Sequence, residues 1–165
     1  MSKVYRVYVQ KRKEYAVESQ EVLNNLKTQL NINTLNELSI VNRYDVEGIS
    51  EEVLQEGIKI ILSEPMVDDV ILEDYPILNN NVFAIEYLPG QYDQRADACE
   101  QCFQILTGNK NVKVKCAKLI VINESVSKED IEKIQKYMIN PVDQRLASLE
   151  KVNNLSEETP SLVKI

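Results

Sequence analysis

Three cysteines and one dense charge cluster are the residues of this chain whose types and spacing could do chemistry. Cys99 and Cys102 form a Cys-x-x-Cys pair, and Cys116 follows further along. A structural zinc site takes four ligands, usually thiols and imidazoles. Here three thiols stand in a chain with no histidine. A reactive thioredoxin-like pair sits at a helix N-terminus, where the dipole favours the thiolate. This pair instead falls roughly two turns inside a helical pattern. Cys99, Cys102, Phe103 and Leu106 trace one face of it, so the cysteines are expected to be buried as small apolar side chains.

The absence of histidine removes the Ser-His-Asp triad, the Cys-His pair and the His-rich metal site. The four glycines, at 48, 57, 90 and 108, form neither a dinucleotide fingerprint nor a phosphate loop. Paired acids occur at Glu51-Glu52, Asp68-Asp69 and Glu73-Asp74. Adjacent carboxylates on a strand point to opposite faces, so these read as solvated edges rather than catalytic dyads. Net charge is −7 with a pI near 4.8, which argues against a nucleic-acid surface. The basic run Lys11-Arg12-Lys13 reads as a solvated turn.

The remaining cluster is Gln91, Tyr92, Asp93, Gln94, Arg95 and Asp97. Pro89-Gly90 fixes a strand-to-helix corner and holds these residues at a sheet end, where loops on rigid scaffolds carry function. One reading is a capped first turn, with Asp93 accepting backbone N–H groups and Arg95 in a surface ion pair. The other is an interdomain contact or ligand-facing patch. The triplet Asp-Gln-Arg recurs at Asp143-Gln144-Arg145.

The elements that must position these residues follow from periodicity. Strands are expected at 4–10, 38–46, within 67–77, at 82–88 and at 112–123. Helices are expected at 16–30, from Ser50 to about Leu62, at 93–106 and from Ser127 to about Met138. Ser50 and Ser127 are N-cap residues, and Gly108 is a C-terminal stop. Val22, Leu23, Leu26 and Leu30 mark the buried stripe of the first helix. Ile131, Ile134, Tyr137 and Met138 mark that of the last. Asn79-Asn80-Asn81 is a polar break.

The pattern restarts after that break. VYRVYVQ (4–10) corresponds to VFAIEYL (82–88), and ISEEVLQEGIKIILSEP (49–65) to VSKEDIEKIQKYMINP (126–141). The fold class expected is α+β. Two duplicated ferredoxin-like half-units, at about 3–78 and 82–150, form an intrachain pseudo-dimer with an antiparallel sheet and helices packed on it. They make one domain over 1–152, and 153–165 reads as a linker or tail. The chain has no apolar run of membrane-spanning length and no signal-peptide pattern, so a cytoplasmic location with reduced thiols is expected.

The stretch VFAIEYLPGQYDQRADACEQCFQILTG resembles the N-terminal region of the large, single-chain phosphoribosylformylglycinamidine synthases. SEPMVDDVILEDY is similar to the end of the small PurS subunit of the multi-subunit enzymes. KYMINPVDQRLASLEK is similar to the family's Ile-Asn-Pro-Val segment, with Leu146 departing from the Glu found there after Arg. The resemblance covers about residues 3–151. It implies a PurS-like, non-catalytic domain of a glutamine- and ATP-dependent amidoligase of purine biosynthesis. The domain would help join synthetase to glutaminase and shape the ammonia passage. Its partners would be those two domains, with no nucleic acid and no membrane, and the chain would be monomeric. It implies no catalytic, cofactor or metal residue in this chain. ATP and magnesium would belong to the synthetase domain, toward which 153–165 leads. The interdomain contact would fall on Gln91, Tyr92, Asp93, Gln94, Arg95, Asp97 and Arg145.

The competing reading is a stand-alone ferredoxin-like module that binds a partner or a small ligand. An independent enzyme is disfavoured by the missing histidine and glycine-rich loops.

Overall fold

The computed structural model describes residues 3–76, 81–151 and 155. Strand β1 (Val4–Lys11) leads through a 3₁₀ turn (Lys13–Tyr15) to helix α1 (Val17–Leu30) and strand β2 (Leu38–Glu47). Helix α2 (Glu51–Gly57) runs on into a π turn (Ile58–Leu62) before strand β3 (Asp68–Leu72). Strand β4 (Asn81–Tyr87), helix α3 (Gln94–Thr107), strand β5 (Lys113–Ile122), helix α4 (Lys128–Met138) and strand β6 (Gln144–Ala147) complete the described elements.

The helix ends follow local chemistry. Ser50 Oγ accepts from Val53 N, and Ser127 Oγ accepts from Asp130 N, each at 3.2 Å. Each satisfies one orphan donor of a first turn that carries acids facing the positive end of the dipole. Gly108 closes α3 in the left-handed conformation at φ +71° and donates its N–H to Gln104 O, a geometry that favours glycine. The expected helix boundaries hold within a residue or two, except that the second helix changes to π winding after Gly57. The third strand falls within the expected 67–77 span, and residues 77–80 lie outside the described residues.

The strands form one antiparallel sheet of six, in the order β3-β1-β2-β5-β4-β6. The first half of the chain contributes β3-β1-β2 and the second β5-β4-β6. The join is the β2–β5 pair, in register over ten residues from Leu38↔Ile122 to Glu47↔Lys113. By contrast, β4 pairs with β5 only from Asn81↔Ile122 to Ile85↔Lys118. Strand β6, whose segment periodicity left open, pairs with the end of β4.

All four helices lie on one face of the sheet. Alternate strand residues Val7, Val9, Tyr44, Val46, Val114 and Cys116 pack with Leu54 of α2, Ile58 and Leu62 of the π turn, and Ala96, Cys99 and Phe103 of α3. Leu38, Ile40, Phe83, Ile85, Ile120 and Ile122 pack with Leu23 and Leu26 of α1 and Ile134 of α4. Each helix pair takes one member from each half of the chain. Fully burying side chains such as Phe103, Leu26 and Ile134 stabilises by about 1.5–3 kcal/mol each. Tyr137 leaves the expected stripe of α4 and is half-exposed.

The opposite face mixes an apolar patch of Tyr8, Val41, Ala84, Leu119 and Val121 with buried charge at Arg6, Arg43, Asp45 and Glu47. Ser148–Lys151 crosses this face. Of the expected tail at 153–165, only Leu155 is described. Its N–H donates to Glu47 Oε1 at 3.1 Å. No helix among the described residues is long and apolar enough to cross a membrane.

Candidate functional site

The β4–α3 corner is built from the backbone outward. Gly90 sits at φ +89° with open space where a Cβ would stand, and Gln91 N donates to Leu88 O at 3.0 Å. Asp93 is the N-cap of α3. Its Oδ1 accepts from Ala96 N at 3.1 Å, as the sequence suggested. Asp97 accepts from Tyr92 Oη at 3.0 Å and Gln101 Nε2 at 2.9 Å. The first of these bonds ties the exposed Tyr92 hydroxyl to the first turn of α3.

Among the described residues Arg95 makes no ion pair, unlike the first of the two readings. Its Nη1 donates to Tyr44 Oη at 3.1 Å, across from α3 to β2. Burial raises the Tyr44 hydroxyl pKa, with the Arg95 guanidinium pulling the other way. The hydroxyl is therefore neutral at physiological pH and serves as a fixed acceptor.

Two hollows flank the corner. An outer groove of about 550 Å³ runs between Pro89–Asp93 and the end of β5 from which β4 has diverged. There α3 side chains replace strand partners. Glu100 Oε1 accepts from Val114 N at 3.0 Å, and Gln104 Nε2 donates to Val112 O at 3.2 Å. An inner cleft of about 600 Å³ opens between the α1/α4 and α2/α3 pairs, lined by Asn42, Gln94, Arg95, Lys118 and Gln144 among others. Lys118 pairs with Glu18 at 3.4 Å across it. Both ends of that pair are exposed, so it contributes under about 1 kcal/mol.

The structure brings Gln91, Tyr92, Asp93, Gln94, Arg95 and Asp97 together at this corner. It also brings the second Asp-Gln-Arg triplet to the corner's root, where Leu88 N donates to Asp143 O at 2.8 Å and Tyr87 faces Gln144. Gln144 shares the inner cleft with Gln94 and Arg95. Arg145 does not join them. Its side chain engages Glu86 on the opposite face of the sheet, Nε to Oε2 at 2.7 Å.

The cysteine expectation divides. Cys99 and Cys116 are buried in the α2/α3 core, whereas Cys102 is exposed. The face of α3 that meets the sheet centres on Ala96, Cys99 and Phe103, and Cys102 lies off it. Burial pushes the Cys99 thiol up to about 11 and raises Cys116 further in the same direction. Both are protonated at neutral pH. Among the described residues no group of three or more His, Cys, Asp or Glu is placed to hold a metal ion.

Two of the acid pairs also depart from solvated edges. Asp68 is buried, accepts from Glu64 N at 2.8 Å and lies 3.2 Å from Lys11 Nζ. Glu73 turns into the left-handed region at φ +65°, where its carboxylate accepts from Arg6 N. Periodicity missed the charged bed of Arg6, Arg43, Asp45 and Glu47. The available signal was the odd-numbered charges of β2, which alternate with Tyr44 and Val46 and must point away from the helices.

No family model, curated protein or solved structure matches the chain.

Proposed function

We propose that this chain is the non-catalytic N-terminal domain of a large phosphoribosylformylglycinamidine synthase, a glutamine- and ATP-dependent ligase of purine biosynthesis. The observation that carries this reading is the strand order. Outward from the central β2–β5 pair, each half runs second strand, first strand, third strand. Two fused PurS-like half-units joined edge to edge would have this order. In this reading the chain is an intrachain pseudo-dimer. It is a monomer because the β2–β5 join that would otherwise hold two subunits is made within it.

The domain acts in the cytoplasm as a spacer between synthetase and glutaminase domains and helps shape the ammonia passage. ATP and magnesium are held by the synthetase domain. The contact surface is the corner of Gln91, Tyr92, Asp93, Gln94, Arg95 and Asp97, which presents polar side chains on a rigid strand–helix junction. Arg145 braces that corner from behind through β6 and Glu86.

The test is to assay glutamine-dependent amidine formation by the complete enzyme with and without this domain. Loss of coupling between glutamine hydrolysis and synthesis, with the glutaminase still able to hydrolyse glutamine, is the expected result. Turnover by this chain alone would overturn the assignment. The inner cleft, with Arg95 bound to Tyr44 at its edge, favours the second reading of a small-ligand module. Titration of the chain with a metabolite panel would separate the two readings.

A further inference from the structure

The face of the sheet opposite the four described helices carries a constellation that neither the corner nor the resemblance accounts for. Arg6 is 2% exposed and Arg43 5%, positions where each unsatisfied guanidinium donor is costly. Arg6 binds Asp45 through two bonds, Nε to Oδ1 at 2.8 Å and Nη2 to Oδ2 at 2.9 Å. Its outer edge is turned to the chain beyond β6, with Nη1 donating to Leu149 O at 2.9 Å and Nη2 to Glu150 O at 3.4 Å. Arg43 Nη1 donates to the preceding carbonyl, Ser148 O, at 2.8 Å, while its buried Nε has no hydrogen-bond partner among the described residues. Two buried cations from two strands thus address three consecutive carbonyls of one irregular segment.

The rest of the face is shaped for that segment. Arg43 stands opposite Ala117, and Ala84 stands opposite Ala147. These small residues leave room for a long side chain lying across the sheet. On the far side Lys151 Nζ pairs with Glu73 Oε1. Glu73 stands there in a left-handed backbone conformation, which is strained for a non-glycine residue. Its N–H donates to Arg6 O and its other carboxylate oxygen accepts from Arg6 N, so guanidinium and carboxylate receptors share one residue. A hollow of about 300 Å³ bounded by Arg6, Tyr8, Tyr75 and Lys151 lies beside the strap.

We propose that Arg6, Arg43 and Glu73 form a clasp that docks the Ser148–Lys151 strap across the first-half strands. The clasp fixes the course of the chain after β6. Strand β6 is the outermost strand of the second half, yet the clasp carries the chain over to β2, β1 and the end of β3. By Leu155, whose N–H donates to Glu47 Oε1, the chain lies at the end of β2. The guanidinium contacts are to backbone carbonyls, so the clasp is indifferent to strap side chains other than Lys151. This inference is independent of the purine-synthase reading, because it concerns only the chain's own segment.

The test uses the full chain, native-state hydrogen exchange over 148–155 and trypsin cleavage after Lys151. Arg43→Met keeps the stem and removes the donors, while Glu73→Gln removes the latch from a partly exposed site and guards against a misfolded Arg43 variant. Either change is expected to speed strap cleavage roughly 10-fold or more, the effect of one lost charged hydrogen bond. Exchange of the β2 and β5 amides should be unaltered. Glu150→Ala, which changes only a strap side chain, should leave cleavage at the wild-type rate. Wild-type cleavage in both receptor variants, or a rise in β2 and β5 exchange parallel to that of the strap, would overturn the clasp.

Discussion

Gly57 and Phe103 are in direct contact across the two halves of the chain. A Cβ placed on Gly57 would stand 2.2 Å from Phe103 Cε1 and 2.5 Å from Cζ. The ring is fully buried and cannot retreat without opening the α2/α3 core. Gly57→Ala is therefore expected to destabilise by about 1–3 kcal/mol in urea unfolding, the usual effect of overpacking. The loss should appear despite alanine's better helix propensity. Phe103→Leu in the same background should recover part of it, since it withdraws the atoms that clash. Equal stability of Gly57→Ala and wild type would contradict this packing.

Thiol labelling of the native protein should find one prompt cysteine of three. Cys102 is exposed, and Cys99 and Cys116 are buried with thiols held protonated by burial. Cys102→Ser should abolish the fast phase and leave the slow one, which waits on opening of the core. A fast phase that survives this substitution would be inconsistent with the burial of the other two.

Stability should fall as pH rises above about 9. The unfolded chain loses its cysteine protons near the ordinary thiol value of ~8.5. The folded chain keeps the Cys99 proton to about 11. Between those limits the folded state binds more protons, so raising the pH favours unfolding. Melting temperatures followed from pH 7 to 10.5 should decline, and Cys99→Ala combined with Cys116→Ala should flatten the decline relative to wild type.

Asp45→Ala should cost about 3–5 kcal/mol, because it strands the buried Arg6 guanidinium without its counter-ion. Arg6→Met with Asp45→Leu should be far closer to wild type, since neither charge is then buried alone. Denaturant midpoints of Arg6→Met, Asp45→Leu and the double variant measure the coupling directly.

Under the proposed function, Arg95→Glu in the complete enzyme tests the corner as a contact surface. Raised glutamine hydrolysis per amidine formed is the expected outcome. Unaltered coupling would count against this corner, and binding of Arg95 to Tyr44 would then be its only role.

Periodicity and capping residues determined most of this fold. Ser50, Ser127, Asp93 and Gly108 mark helix ends through local hydrogen bonds and a left-handed turn, and local signals are legible one residue at a time. The alternation of β1, β2, β4 and β5 is legible for the same reason. Tertiary structure decided what depends on partners distant in sequence. Cys102 lies off the buried face of α3 because the sheet meets that helix through Ala96, Cys99 and Phe103. Arg95 finds Tyr44, 51 residues away, because β2 runs beneath α3. Arg6, Arg43 and Asp45 are buried because the chain after β6 returns across their face. Charge written in a strand says which way a side chain points; only the assembled sheet says what covers it.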